Sequence, residues 1–179
     1  MCPAAIGCAM KAPASPGPIH AFLAHDHARL DALLLRSTAD PEVVDRAAYD
    51  EFRAGLLRHI AMEEKVLLPE ARRIQGGEPL VAAKQLRADH AALAALLVPT
   101  PTHRILATIR AVLAEHNPIE EGSGGIYAII EQLAGADVDA LLARIRAVPE
   151  VPAAQHFDGQ RAHEGIARLL RARAVVRDG

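Results

Sequence analysis

Leu56-Leu57-Arg58-His59-Ile60-Ala61-Met62-Glu63-Glu64-Lys65-Val66-Leu67 sets two ionisable side chains, His59 and Glu63, among apolar ones. An α-helix advances about 100° per residue, so His59 and Glu63, four apart, share one face. Phe52 and Leu56 precede the pair on that stripe and Val66, Leu67 and Glu70 follow it. An imidazole and a carboxylate therefore stand where an amphipathic helix carries its core hydrophobes. A carboxylate placed in a core without a countercharge costs several kcal/mol, so the pair calls for an ion pair, a hydrogen-bond network or a metal.

The composition around this stretch is helical. Apolar residues make up 51% of the 179-residue chain, mostly Ala and Leu, aromatics only 3%, and there is no Trp. Small and aliphatic side chains favour packed helices over sheets. Lys plus Arg (20) nearly balances Asp plus Glu (22), which leaves no electrostatic footprint for nucleic acid or an anionic membrane. No apolar run reaches the roughly 18 residues of a membrane span, and the N-terminus lacks a secretory pattern, so the cytoplasm is the expected compartment. Ala5-Ile6-Gly7-Cys8 has too little in front of it to act as a lipoprotein box. Cys2 and Cys8 lie in a Pro/Ala/Gly-rich tail and are expected to be reduced and structurally idle.

Residues 1–17 read as a flexible leader, because Pro3, Pro13, Pro16 and Pro18 block regular structure until Pro18 opens a first helix to about Arg36. Its inner stripe is Leu23, His27, Leu30 and Leu34. Asp40-Pro41 reads as the cap and first residue of a long second helix that ends near Ile74 before Gly76-Gly77, with Pro69 bending it beyond His59 and Glu63. A third helix, about Pro79 to Leu97, carries Leu86, His90, Leu93 and Leu97 on one face. Thr100 is the expected cap of a fourth, whose stripe is Ile109, Leu113, His116 and Glu120, with Pro118 kinking it. Gly122, Gly124 and Gly125 predict an irregular turn before Ile126 to Leu133. A short helix over about Val138 to Ala147 and a last one over about Ala153 to Val175 complete an all-α chain. Short connections imply an antiparallel up-down four-helix bundle over residues 18–133, with 134–179 a helical extension packed on it.

Each bundle helix thus places one of the nine His on its inner stripe, and two helices add a Glu one turn later. One such His is more often a hydrogen-bonded core residue than a ligand. Four, one per helix, reverse that preference. His27, His59, Glu63, His90, His116 and Glu120 converge if their depths match, giving each of two metals two imidazoles and a share in two bridging carboxylates. Such ligation suits iron or manganese and also accepts zinc. Glu64 and Glu121 are expected to face outward or to hold the second ring nitrogens of the His ligands. His20, His25, His103, His156 and His163 read as structural or solvated, and the Arg168, Arg171, Arg173 and Arg177 run as a solvated helix end.

The runs Phe22-Leu23-Ala24-His25-Asp26-His27-Ala28-Arg29-Leu30-Asp31, His59 to Pro69, Asp89-His90-Ala91-Ala92-Leu93 and His116-Asn117-Pro118-Ile119-Glu120-Glu121 resemble, as an ordered set, the hemerythrin-like (HHE cation-binding) domain. The resemblance implies a four-helix bundle around a non-haem di-iron centre, with His27, His59, His90 and His116 as terminal ligands and Glu63 and Glu120 as bridges. It also implies oxygen, peroxide or nitric oxide as the small ligand. The oxygen carriers of that family have two His four apart on the third helix and an Asp bridge on the fourth, whereas here Leu86 and Ala94 flank His90 at that offset and the fourth-helix acid is Glu120. A centre short of one imidazole favours sensing or redox reaction over reversible carriage. The alternative is a helical scaffold or iron-handling module whose metal is structural or stored. No catalytic residue separate from the ligands is legible, and neither is the oligomeric state.

Overall fold

The computed structural model describes residues 16–178, so the leader up to residue 15, with Cys2 and Cys8, lies outside the described residues. Among those described, the regular structure is entirely helical. Helix α1 (Pro18–Ser37) is followed by α2 (Arg46–Met62), which passes through a π-helical turn (Glu63–Leu67) into α3 (Leu68–Ile74). Then come α4 (Ala83–Leu96), α5 (His103–Glu121), α6 (Ile126–Ala134), α7 (Val138–Arg146) and α8 (Gln160–Asp178). None of these helices is long and apolar enough to cross a membrane.

Two apolar clusters set the directions of the helices. One gathers Ile19 and Leu23 with Met62, Leu67, Leu68, Leu86, Ile126, Tyr127, Ile130, Leu141 and Ile145. The other gathers Leu30 and Leu34 with Tyr49, Phe52, Leu56, Leu93, Leu96, Leu106 and Ile109. Helices α1 and α4 run from the first cluster to the second, and α2–α3 and α5 run back, which is the expected antiparallel bundle. The polar stripe positions fall between the clusters, so the chain places His27, His59, Glu63, His90, His116 and Glu120 at one depth. Helices α6 and α7 close the first cluster, while Ile166 and Leu170 of α8 lie against the second.

Local starts and stops depart from expectation where a second polar partner competes. The second helix begins at Arg46, capped by Asp45, whose side chain accepts from the Ala48 N–H at 3.0 Å. Asp40 instead accepts from the N–H groups of Glu42 and Val43 and closes the preceding turn. Likewise Thr102, accepting from the Ile105 N–H, caps α5. Thr100 is held by Asp158, to which it gives both its N–H and its hydroxyl at 2.7 Å. That contact, with the Phe157 N–H donating to the Val98 carbonyl at 3.0 Å, keeps residues 151–159 out of regular structure. The last helix accordingly starts at Gln160 instead of Ala153.

Pro69 does not end its helix. The chain widens over the turn before it, with the Leu68 N–H reaching the Glu63 carbonyl five residues back, so the proline's missing donor and its ring fall where the spacing is already relaxed. Pro118 is likewise carried inside an unbroken α5.

Replacing Asp45 by Ala leaves the first turn of α2 without its side-chain acceptor and is expected to lower stability by about 1 kcal/mol in urea denaturation. A loss at Asp40→Ala larger than that at Asp45→Ala would contradict the assignment of the cap.

Candidate metal centre

All six side chains meet between the two clusters, each nearly sealed from solvent. They form two overlapping groups, His27, His59, Glu63 and Glu120 on one side and Glu63, His90, His116 and Glu120 on the other. Within each group the candidate ligand atoms all lie within 4.8 Å of one another. Glu63 divides its oxygens between the groups, with Oε1 3.4 Å from His59 Nε2 and Oε2 3.1 Å from His90 Nε2. Glu120 Oε2 lies 3.1 Å from His116 Nε2 and 3.5 Å from His27 Nε2, and its Oε1 3.8 Å from His90 Nε2.

Every imidazole turns its other nitrogen outward onto a carboxylate. His59 Nδ1 lies 2.9 Å from Asp26, His90 Nδ1 2.8 Å from Glu64, His116 Nδ1 3.2 Å from Asp89 and His27 Nδ1 3.3 Å from Glu121. A carboxylate only accepts, so each Nδ1 carries the hydrogen and each Nε2 is left to face inward. The four acids sit next to candidate ligands in sequence, yet each serves the His of another helix. The contacts run from α1 to α2, from the π-helical turn to α4, from α4 to α5 and from α5 back to α1, a closed ring around the bundle. Glu64 and Glu121 thus hold second ring nitrogens, one of the two roles expected of them.

Sequence reasoning missed Tyr127. Its hydroxyl donates to Glu63 Oε1 at 2.6 Å and lies 3.1 Å from Glu120 Oε2, 3.3 Å from His27 Nε2 and 3.4 Å from His59 Nε2. Two glycines bring it there. A Cβ on Gly122 would stand 2.3 Å from the Pro118 carbonyl oxygen and one on Gly125 2.5 Å from that of Glu120, so only glycine lets the chain double back so tightly. The other His stay outside the centre. The His20 ring lies edge-on to Tyr127, His103 meets the Asp40 carbonyl and His156 packs beside Tyr49. The arginine run is not wholly solvated, since Arg173 is buried and donates to Asp89 at 2.7 Å and to Glu115 at 2.6 Å.

The electrostatics are those of a crowded polar layer. Burial, with the facing His59, drives the His27 imidazole down to about 3. Burial opposes the charged form of the other three as well, but carboxylates outweigh it. Glu63 and Asp26 lift His59 to about 10, Glu63 and Glu64 lift His90 to about 10, and Glu120 and Asp89 lift His116 to about 9. Burial and the charge of Glu63 push Glu120 up, whereas His59 and His90 outweigh burial at Glu63 and hold it well below the usual range.

His90 Nε2 and Glu63 Oε2 face each other at 3.1 Å with no other partner, so the pair is satisfied by a proton held between them or by a metal cation in its place. Four imidazole nitrogens and two divisible carboxylates are a donor set that fits iron, manganese or zinc.

The profile of one protein family, described as the hemerythrin HHE cation binding domain, matches residues 19–147. No curated protein and no solved structure gives a significant match. The match takes in all six candidate ligands, their four carboxylate partners and Tyr127, and leaves α8 outside.

At neutral pH the metal-free chain carries protons on His59, His90 and His116, since all three values lie above 7. A divalent ion at Nε2 displaces them, so binding releases protons and tightens as pH rises. Calorimetric titration with Zn(II) in buffers of different ionisation enthalpy is expected to register release of these protons. Proton-neutral binding would show that these three imidazoles are already neutral before the metal arrives.

Proposed function

The chain belongs to the hemerythrin HHE cation-binding family, and from that premise we propose that it is a non-haem di-iron protein that senses or reacts with a small oxidant. Oxygen, peroxide and nitric oxide are the candidates. His27 and His59 would serve one iron, His90 and His116 the other, with Glu63 and Glu120 shared. Iron held this way supplies one-electron steps and coordination positions that a small molecule can occupy.

The observation that carries the reading is a cavity of about 110 Å³ that all four histidines line. Its walls are otherwise mainly Leu30, Leu34, Leu56, Ile60, Leu93 and Leu113, and the exposed side chains of Asp31 and Arg110 stand at its margin. Such a space admits a small uncharged molecule, keeps bulk water away from the Nε2 atoms and is too small for a metabolite of ordinary size. A purely structural metal has no use for it. From the opposite side, in the first cluster, Tyr127 holds a hydroxyl proton beside Glu63 Oε1, where reduction of an oxidant would consume one.

Protein purified without added metal is expected to contain two irons per chain and to show near-ultraviolet bands that move with azide and with peroxide. Removing one imidazole by His59→Ala should abolish them. Zinc in place of iron, or bands indifferent to every small ligand, would favour the scaffold or storage alternative. Tyr127→Phe is expected to keep both metals and slow peroxide consumption by roughly 10²-fold or more, the usual contribution of a positioned proton donor. An unchanged rate would remove Tyr127 from the chemistry.

A further inference from the structure

The four carboxylates of the ring are not supported alike. Asp26 pairs with Arg29 from its own helix, and Glu64 with Arg87 at 3.4 Å; both arginines are largely exposed. Asp89 is fully buried, and its cation, Arg173, comes from α8. The Arg173 Nε donates to Asp89 Oδ1 at 2.7 Å, while Asp89 Oδ2 receives the Nδ1–H of His116. Gln85 also donates to Asp89 Oδ1 at 2.7 Å. The far side of the guanidinium reaches Glu115 at 2.6 Å, which Arg177 also contacts. Through two hydrogen bonds, a helix outside the family match is tied to one candidate ligand.

Arg173 also stands apart within α8. It is the buried residue of that helix, whose apolar contacts with the bundle are the partly buried Ile166 and Leu170. The chain leading to α8, residues 151–159, has no regular structure. One guanidinium therefore joins α8, which packs along α4, to the Asp89 carboxylate that aims the His116 ring. Without it, the buried Asp89 carboxylate would keep only Gln85 and the His116 Nδ1–H as partners, and its hold on the His116 ring would loosen.

We propose that Arg173 is a positioning residue for one half of the metal centre, and that docking of α8 through it keeps metal in the His90–His116 half. The proposal rests on the reading of the six side chains as metal ligands. Among the described residues no hydrogen bond joins α8 to His27 or His59, which are held by Asp26, Glu121 and Tyr127 instead. The two halves consequently differ in what their retention depends on.

The test is release of iron from the full chain, loaded anaerobically with Fe(II), into excess ferrous chelator. Arg173→Ala is expected to lose half of its iron at least tenfold faster than wild type while the other half leaves at the wild-type rate. Arg173→Lys, which keeps the charge but not the two-sided donor geometry, should fall between them. Arg171→Ala, on the exposed face of α8, should match wild type. Asp89→Asn weakens the same relay from its other end while leaving Arg173 its contact with Glu115, and decides the matter if Arg173→Ala does not fold. Half-selective loss supports the proposal. Unchanged release, or equal acceleration of both halves, overturns it while leaving the two-iron reading intact. A wild-type chain that takes up fewer than two irons overturns that reading, and the role of Arg173 with it.

Discussion

Six ionisable side chains lie in the middle of a helical bundle with almost no water to solvate them, and most of the structure follows from satisfying them. Unpaired, each buried ion would cost several kcal/mol, and this chain does not hide them at a frayed end or a surface groove. It sets them between two apolar clusters and surrounds them with four more carboxylates. The ring of imidazole–carboxylate contacts links α1, α2 with its π-helical turn, α4 and α5 in a closed circuit. The same contacts place a hydrogen on Nδ1 of the four central histidines. Bundle packing and ligand orientation are thus one set of interactions.

Two local irregularities serve that arrangement. The π-helical turn begins at Glu63, so the step from Glu63 to Glu64 aims one carboxylate at the centre and its neighbour at the outer nitrogen of His90. The glycine turn after α5 folds Tyr127 back onto Glu63 and Glu120, seven residues beyond Glu120 in the chain. The result is a centre whose halves differ, one facing a phenol from α6 and the other braced from outside by α8.

Periodicity made the bundle and the six side chains legible, because a stripe at three- and four-residue spacing reports burial whatever residue occupies it. What periodicity cannot report is which helix neighbours which. The roles of Asp26 and Asp89 depend on that order, and the one local signal was an acid beside a candidate ligand on every bundle helix. Tyr127 lay beyond three glycines whose path no pattern describes. Arg173 looked like its exposed neighbours because nothing but tertiary burial distinguishes it. The caps moved for a related reason: Thr100 and Asp40 are good caps locally, but Asp158, far along the chain, claims the first, and the turn after α1 uses the second. Pro69 marked an irregularity correctly, though the relief is a widened turn placed ahead of it.

Glu63 and Glu120 are proposed to lie between two metals, each with its own pair of imidazoles. Anomalous diffraction from crystals grown with Fe(II) tests it most directly. Two peaks about 3.5–4 Å apart, one beside His27 and His59 and the other beside His90 and His116, are the result the account predicts. A single peak, or metal bound away from these six side chains, would contradict it.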